Sequence, residues 1–82
     1  MSVPVILLEV VEAKLDEASP IIGRKVKSLN LPPDMKLLVI IRGKDSIVPG
    51  GDTVPQLGDE IIALTREGSE QDLRQALMGA SA

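Results

Sequence analysis

Between Arg42 and Leu64 the chain sets short apolar pairs between residues that reverse its direction. Arg42-Gly43-Lys44-Asp45 precedes Ile47-Val48, Pro49-Gly50-Gly51-Asp52 follows, and Leu57-Gly58-Asp59 leads into Ile61-Ile62. A helix through such a stretch would lose about 1 kcal/mol at each interior glycine and about 3 kcal/mol at a proline. Short strands folded back on one another are therefore expected here rather than a helical bundle. Gly43, Gly50, Gly51 and Gly58 fall at the reversals, where positive φ is expected.

The strands on either side can be placed from their apolar content. Met35-Lys36-Leu37-Leu38-Val39-Ile40-Ile41-Arg42 is the most apolar segment and is expected to be a central strand. It turns at Gly43-Lys44-Asp45 into a very short strand at Ile47-Val48, Pro49-Gly50 fits the centre of a type II turn, and a last strand covers Glu60 to Thr65. Upstream, Val5 to Ala13 is rich in β-branched residues. Strand alternation puts Ile6, Leu8 and Val10 on one side and Val5, Leu7 and Val11 on the other. Ser19-Pro20 is a local helix start that Gly23 stops after about a turn, and Val26 and Leu29 suggest a second short turn closed by Asn30 and Pro32-Pro33. Ser69 and Asp72 resemble a capping box ahead of Leu73, Ala76, Leu77 and Ala80, a stripe that predicts a terminal amphipathic helix. The fold class is thus α+β.

The length, 82 residues, makes this one domain over residues 1–82, with an ordered core expected over about 5–78. It has no aromatic residue, so the interior must be built from aliphatic side chains, and these lie on both faces of the expected strands. So small a body cannot hide both faces, and a second copy is the simplest cover. Val5, Leu7, Leu38 and Ile40 are the expected seam of that homodimer. Nine basic against twelve acidic residues, with no basic run and no stacking platform, argue against nucleic acid. The apolar runs Pro4 to Leu8 and Leu37 to Ile41 are far shorter than the about 20 residues of a membrane-spanning helix, so direct membrane insertion is not expected.

Chemistry is limited by the absence of cysteine, histidine and tyrosine. An enzyme could work only with carboxylates, lysines or hydroxyls, and the sharpest such reading is a hydrolase built on Asp52 and Asp59. Satisfaction of backbone N–H groups in their own turns explains both aspartates more simply. Glu9, Glu12, Asp16 and Glu17 could ligate a hard cation, but their spacing scatters them and a solvated acidic face is the better reading. Arg24, Lys25, Lys27, Lys36 and Arg42 could contact an anionic small ligand at a subunit boundary, although surface charges with apolar stems are the plainer account. Pro49-Gly50-Gly51-Asp52 is a weak candidate for an anion nest.

Five pieces in series carry a family resemblance. They are Ser19-Pro20-Ile21-Ile22-Gly23-Arg24-Lys25-Val26, Leu29-Asn30-Leu31-Pro32, Leu38-Val39-Ile40-Ile41-Arg42-Gly43, Ile47-Val48-Pro49-Gly50-Gly51-Asp52-Thr53 and Leu57-Gly58-Asp59-Glu60. In that order, from about Leu7 to Leu77, the chain resembles the TrkA C-terminal domain, the C-terminal subdomain of RCK regulators of potassium conductance. The resemblance implies a small strand-rich pseudo-barrel of about four mostly antiparallel strands, with a short helix after the first strand and a capping C-terminal helix, that dimerises. It implies a non-enzymatic, ligand-sensing regulatory role on the cytoplasmic side of a potassium or other cation channel or transporter. A separate Rossmann-like domain would bind NAD or ATP in that setting. Some relatives bind cyclic di-AMP across the dimer cleft, and the matching stretch here is Asn30-Leu31-Pro32 with Met35-Lys36. Relatives that bind calcium have acidic ligands with no assignable counterpart in this chain.

Overall fold

The β-branched and Leu-rich segments form one sheet of four antiparallel strands, Leu8–Lys14, Glu60–Arg66, Met35–Arg42 and Asp45–Ile47 in spatial order, with one helix on one face. This computed structural model describes residues 7–79. The strands are β1 (Leu8–Lys14), β2 (Met35–Arg42), β3 (Asp45–Ile47) and β4 (Glu60–Arg66), and the helix is α1 (Glu70–Met78). Among the described residues β1 and β3 lie at the two edges, so the sheet they form is open and does not close into the expected pseudo-barrel. Four strands, one of them three residues long, supply too little width to close.

Residues 43–44 connect β2 to β3 between the paired Arg42 and Asp45. Gly43 has φ 61°, the conformation a type II′ connection asks of its first central residue. Gly58 likewise has a positive φ, 86°, whereas Gly50 and Gly51 do not. There the chain reverses over Gly51-Asp52 instead of Pro49-Gly50, because Thr53 closes the turn from both ends. Its N–H donates to the Gly50 carbonyl at 3.1 Å and its Oγ1 accepts from the Gly50 N–H at 2.9 Å. β3 accordingly covers Asp45–Ile47 rather than Ile47-Val48.

No α-helix lies between β1 and β2. Residues 20–23 form hydrogen-bonded turns, and a 3₁₀ helix covers Val26–Ser28. The N–H groups of Gly23, Val26 and Lys27 donate to the carbonyls of Pro55, Thr53 and Gly51, each at 2.9 Å, so this segment lies alongside the 51–55 loop. Backbone donors given to a neighbouring loop cannot sustain an i to i−4 ladder. At α1 the expected capping box is absent: Ser69 has φ −105°, ψ 6° and makes no side-chain cap, while the Glu70 carboxylate turns back to accept from the Gly68 N–H at 3.1 Å.

The core lies between the sheet and α1. Val11 and Ala13 from β1, Ile61 and Ala63 from β4 and Ile40 from β2 meet Leu73 and Leu77 of α1, with Leu15 and Ile21 closing the end. Ala80, placed by the sequence on the same helical stripe, lies outside the described residues.

A register shift in β2 between Leu37 and Val39 decides which residues share this core. Leu37 opposes Ala63 on the core side, Val39 opposes Ile62 on the other side, and Ile40 returns to the core opposite Ile61. The extra residue, Leu38, flips the alternation and puts Leu38 and Val39 together on the far face. Ile40 is fully buried within the protomer and is removed from the expected seam. Val5 lies outside the described residues, and Leu7 is an exposed residue just before β1.

The far face carries Glu12, Lys14, Lys36, Glu60 and Arg66 around an otherwise apolar surface that is uncovered among the described residues. Leu8 and Val10 of β1 are 55% and 58% exposed, and Val10 opposes Leu64 in register. Ile62, Leu64, Leu38, Val39 and Ile41 are half-buried and continue the same surface. Leu15, Ile21, Ile22, Leu29 and Leu31 of the 15–34 connection and Leu73, Leu77 and Met78 of α1 go to the opposite side, into the core.

Candidate functional site

The loop entering β4 is anchored by a buried ion pair. Asp59 is 1% exposed and accepts from Arg42 Nε at 2.9 Å, from Arg42 Nη2 at 2.8 Å and from the Gln56 N–H at 2.9 Å. Arg42 Nη2 also donates to the Val54 carbonyl at 3.1 Å. The bidentate hydrogen bond from Arg42 holds the Asp59 carboxyl below its usual range, against the opposing push of burial, and the same bond raises the Arg42 guanidinium. Such a pair contributes more to fixing the 54–59 loop than to net stability, since desolvation offsets its attraction. It also commits Arg42, one of the residues read from the sequence as a ligand contact, to an internal partner.

Asp52 sits in a different setting. It is exposed and lies 3.0 Å from Lys27 Nζ and 3.7 Å from Lys25 Nζ. Asp52 and Asp59 are thus engaged by different cations and do not form the paired carboxylates of a hydrolase. Among the described residues no group of three or more acidic side chains is gathered as a metal site.

Three of the sequence-derived ligand contacts do converge. Arg24, Asn30 and Leu31 line a cavity of about 180 Å³ together with Pro20, Ile21, Leu29 and Ala76. The wall has a cationic side and an apolar side. Arg24 is exposed and donates through Nη2 to the Ser28 carbonyl at 2.8 Å, which steadies its guanidinium beside the 3₁₀ helix. Asn30 is an exposed polar lining residue, while Ile21, Leu29 and Leu31 supply apolar walls that are continuous with the core. Ala76 closes the cavity from α1, whose end is tied to the same turn by a hydrogen bond from the Ser19 hydroxyl to Met78 Sδ at 3.7 Å. The volume is below the roughly 300–1,000 Å³ of pockets that enclose a drug-sized ligand.

The other sequence-derived contacts lie elsewhere. Pro32 is half-buried just beyond the cavity, and Met35 packs against the core. Lys36 is exposed on the open sheet face opposite Leu64. Sequence reasoning did not point to Ala76 as a wall. Its signal was its small side chain within the stripe Leu73, Ala76, Leu77, a gap in an otherwise bulky apolar face. A second, open groove of about 530 Å³ lies between Leu15, Asp16, Glu17 and Ala18 and the Leu57-Gly58 turn. Its two carboxylates make it the poorer host for an anion.

A four-stranded antiparallel sheet with one covering helix, a turn-rich connection and a small half-polar cavity defines a small α+β domain. The family model of the TrkA-C domain matches residues 10–78, and the chain belongs to that family. It is 35% identical over 68 residues to the Trk system potassium uptake protein TrkA of Mycobacterium tuberculosis, which covers 83% of this chain and 31% of that protein. It is 40% identical over 57 residues to the putative Na(+)/H(+) antiporter YjbQ of Bacillus subtilis, covering 70% of this chain and 9% of that protein. The chain therefore spans about a third or less of the curated relatives it matches. A solved structure described as an RCK domain with cda superposes with a TM-score of 0.66 at 28% identity, covering 83% of this chain and 96% of that one. Among the described residues no helix is long and apolar enough to cross a membrane.

Proposed function

We propose that this chain is the regulatory, effector-sensing domain of a potassium transport system, working as a pair of copies at the cytoplasmic face of the membrane. The transported cation and the system are those named for its TrkA relatives. The partners are a Rossmann-like nucleotide-binding domain and the membrane subunit, and NAD or ATP binds on the former. The single observation that carries the sensing role is the convergence of Arg24, Asn30 and Leu31 on one cavity walled by α1. Asn30 and Leu31 come from the stretch that the family resemblance assigns to ligand contact, with Pro32 beside it, and Arg24 from the basic residues read as contacts for an anionic ligand.

The effector this cavity suits is an anion bearing a flat ring, of which cyclic di-AMP is the family's example. The ring would enter between Leu29, Leu31 and Ala76, and a phosphate would meet Arg24. A cavity of this size takes part of such a molecule, which agrees with a ligand shared between two copies. Sensing needs no chemistry: a ligand that prefers one arrangement of the pair shifts its population by the difference in affinity, typically about 1–3 kcal/mol.

Isothermal titration of the 82-residue chain with cyclic di-AMP tests the reading. Arg24→Ala is expected to weaken binding about tenfold or more, the loss of a hydrogen bond to a charged group. Binding that ignores both Arg24→Ala and Asn30→Ala would move the site elsewhere. No heat with cyclic di-AMP, calcium or nucleotides would leave a dimerisation module without a ligand of its own.

A further inference from the structure

Resting on the effector-sensing reading, we infer that the C-terminal end of α1 is a clasp whose docking on the 18–20 turn is coupled to occupancy of the cavity, with Gly79 the positioning residue that permits it. α1 gives way at Gly79 to φ 84° and ψ −179°. That conformation is open to glycine almost alone, and it differs from the left-handed residue that ordinarily closes a helix. The departure brings the backbone of residue 79 against the turn after β1. A Cβ there would stand 3.0 Å from the Ala18 carbonyl oxygen and 3.4 Å from Pro20 Cδ, so a methyl group would have to displace its neighbours.

The turn that receives the helix end is fixed from within. The Ser19 hydroxyl oxygen accepts from the Asp16 N–H at 2.9 Å, the Ser19 N–H donates to the Asp16 carbonyl at 3.0 Å, and the Ala18 N–H donates to Asp16 Oδ1 at 2.9 Å. The contact between the Ser19 hydroxyl and Met78 Sδ lies one residue before the glycine and holds the last turn of α1 to the same place. Leu73 and Leu77, both fully buried, anchor the rest of α1 to the sheet. Release of the clasp therefore leaves the core intact.

Pro20 joins this clasp to the cavity. It lines the cavity together with Ile21 and Ala76, and Ala76 stands three residues before Gly79 on one face of α1. Parting the helix end from Pro20 opens the wall between Pro20 and Ala76. A ligand seated there touches both sides of the joint, Ala76 on the helix and Pro20-Ile21 on the turn, and so favours the docked arrangement. By reciprocity the docked arrangement favours the ligand, and the apparent affinity falls in proportion to the fraction of molecules that are docked. The other end of α1 supplies the comparison. Gly68 also has a positive φ, 95°, but a Cβ there meets nothing within 4 Å.

Amide hydrogen exchange and isothermal titration of the 82-residue chain with cyclic di-AMP, with circular dichroism confirming the fold of each variant, test the coupling. The Gly79 N–H, bonded to the Gln75 carbonyl at 2.8 Å, is expected to exchange about tenfold more slowly at a ligand concentration about ten times Kd. The Ser69 N–H at the other end of α1, bonded to the Arg66 carbonyl at 3.0 Å, is expected to keep its rate. Gly79→Ala is expected to raise Kd about tenfold, the change that follows when about one molecule in ten remains docked. Gly68→Ala, which carries a positive-φ penalty without the wedge, is expected to leave Kd unchanged. A Gly79 amide indifferent to the ligand, or equal Kd values for the parent and Gly79→Ala, overturns the coupling while the sensing reading stands. A rise in Kd shared equally by Gly68→Ala also overturns it, by reducing the effect to general destabilisation of α1. A parent chain that gives no heat with cyclic di-AMP overturns the sensing reading, and the coupling falls with it.

Discussion

The bulge in β2 makes Ile40 a core residue, and truncating it provides a quantitative check on the register. Ile40 is 0% exposed and opposes Ile61 beneath α1. Ile40→Ala removes three buried carbons, about 2.4 kcal/mol at about 0.8 kcal/mol each. The cavity left behind raises the loss to about 3–4 kcal/mol, within the usual range for such truncations. A chain of 82 residues has a total stability of about 4–12 kcal/mol, so a large share of it would go. For a domain this small the midpoint of thermal unfolding should fall by about 12–30 °C. Val39→Ala, one residue away but on the open face, should cost about 1 kcal/mol or less within the protomer. Urea denaturation followed by circular dichroism at two or more protein concentrations separates protomer stability from association, because a dimer adds a concentration-dependent increment. If Ile40→Ala lost less than about 1 kcal/mol while weakening association, Ile40 would face a partner and the register reasoning would be refuted.

Other expectations concern the loop anchors. The Asp59 carboxyl titrates lower in the folded chain than in the unfolded one, so it stabilises the fold above about pH 4 and loses that contribution as pH falls through the folded value. Asp59→Asn should therefore flatten the acid limb of a stability-against-pH curve measured by urea melts; an acid limb as steep as the parent's would place the responsible carboxylate elsewhere. Gly58→Ala meets no atom within 4 Å of its added Cβ but must hold φ 86°. A loss of about 1–2 kcal/mol in urea midpoint analysis is expected from that conformation alone, and a neutral result would mean that the turn relaxes.

Much of the backbone plan was legible in local sequence. The apolar density of Met35–Arg42 and of Glu60–Arg66, the glycines at 43 and 58 and the stripe Leu73, Ala76, Leu77 act through contacts within a few residues, so the strands, two reversals and the helix could be placed from them. Asn30 and Leu31 were also visible through the family resemblance, and Arg24 through its basic character beside Lys25 and Lys27. Alternation failed at Leu38, because a bulge arises from how two strands pair and leaves no mark in either strand's composition. The short α-helix expected after Pro20 failed for a similar reason: the Gly23 N–H went to Pro55 of a distant loop, and the turn that follows, tied to the same loop through Val26 and Lys27, closed as a 3₁₀ helix.

The sequence by itself determined that this chain would be a strand-rich domain with more aliphatic surface than one small body can bury, since residue type and spacing settle which segments are extended and how apolar they are. Only the tertiary structure decided where that surface lies. Pairing register assigns each side chain to a face, and one inserted residue sent Ile40 inward and Leu38 outward. It also decided that Arg42 serves Asp59 and that Ala76 completes the cavity beside Arg24, because partners distant along the chain meet only once the sheet and helix have packed.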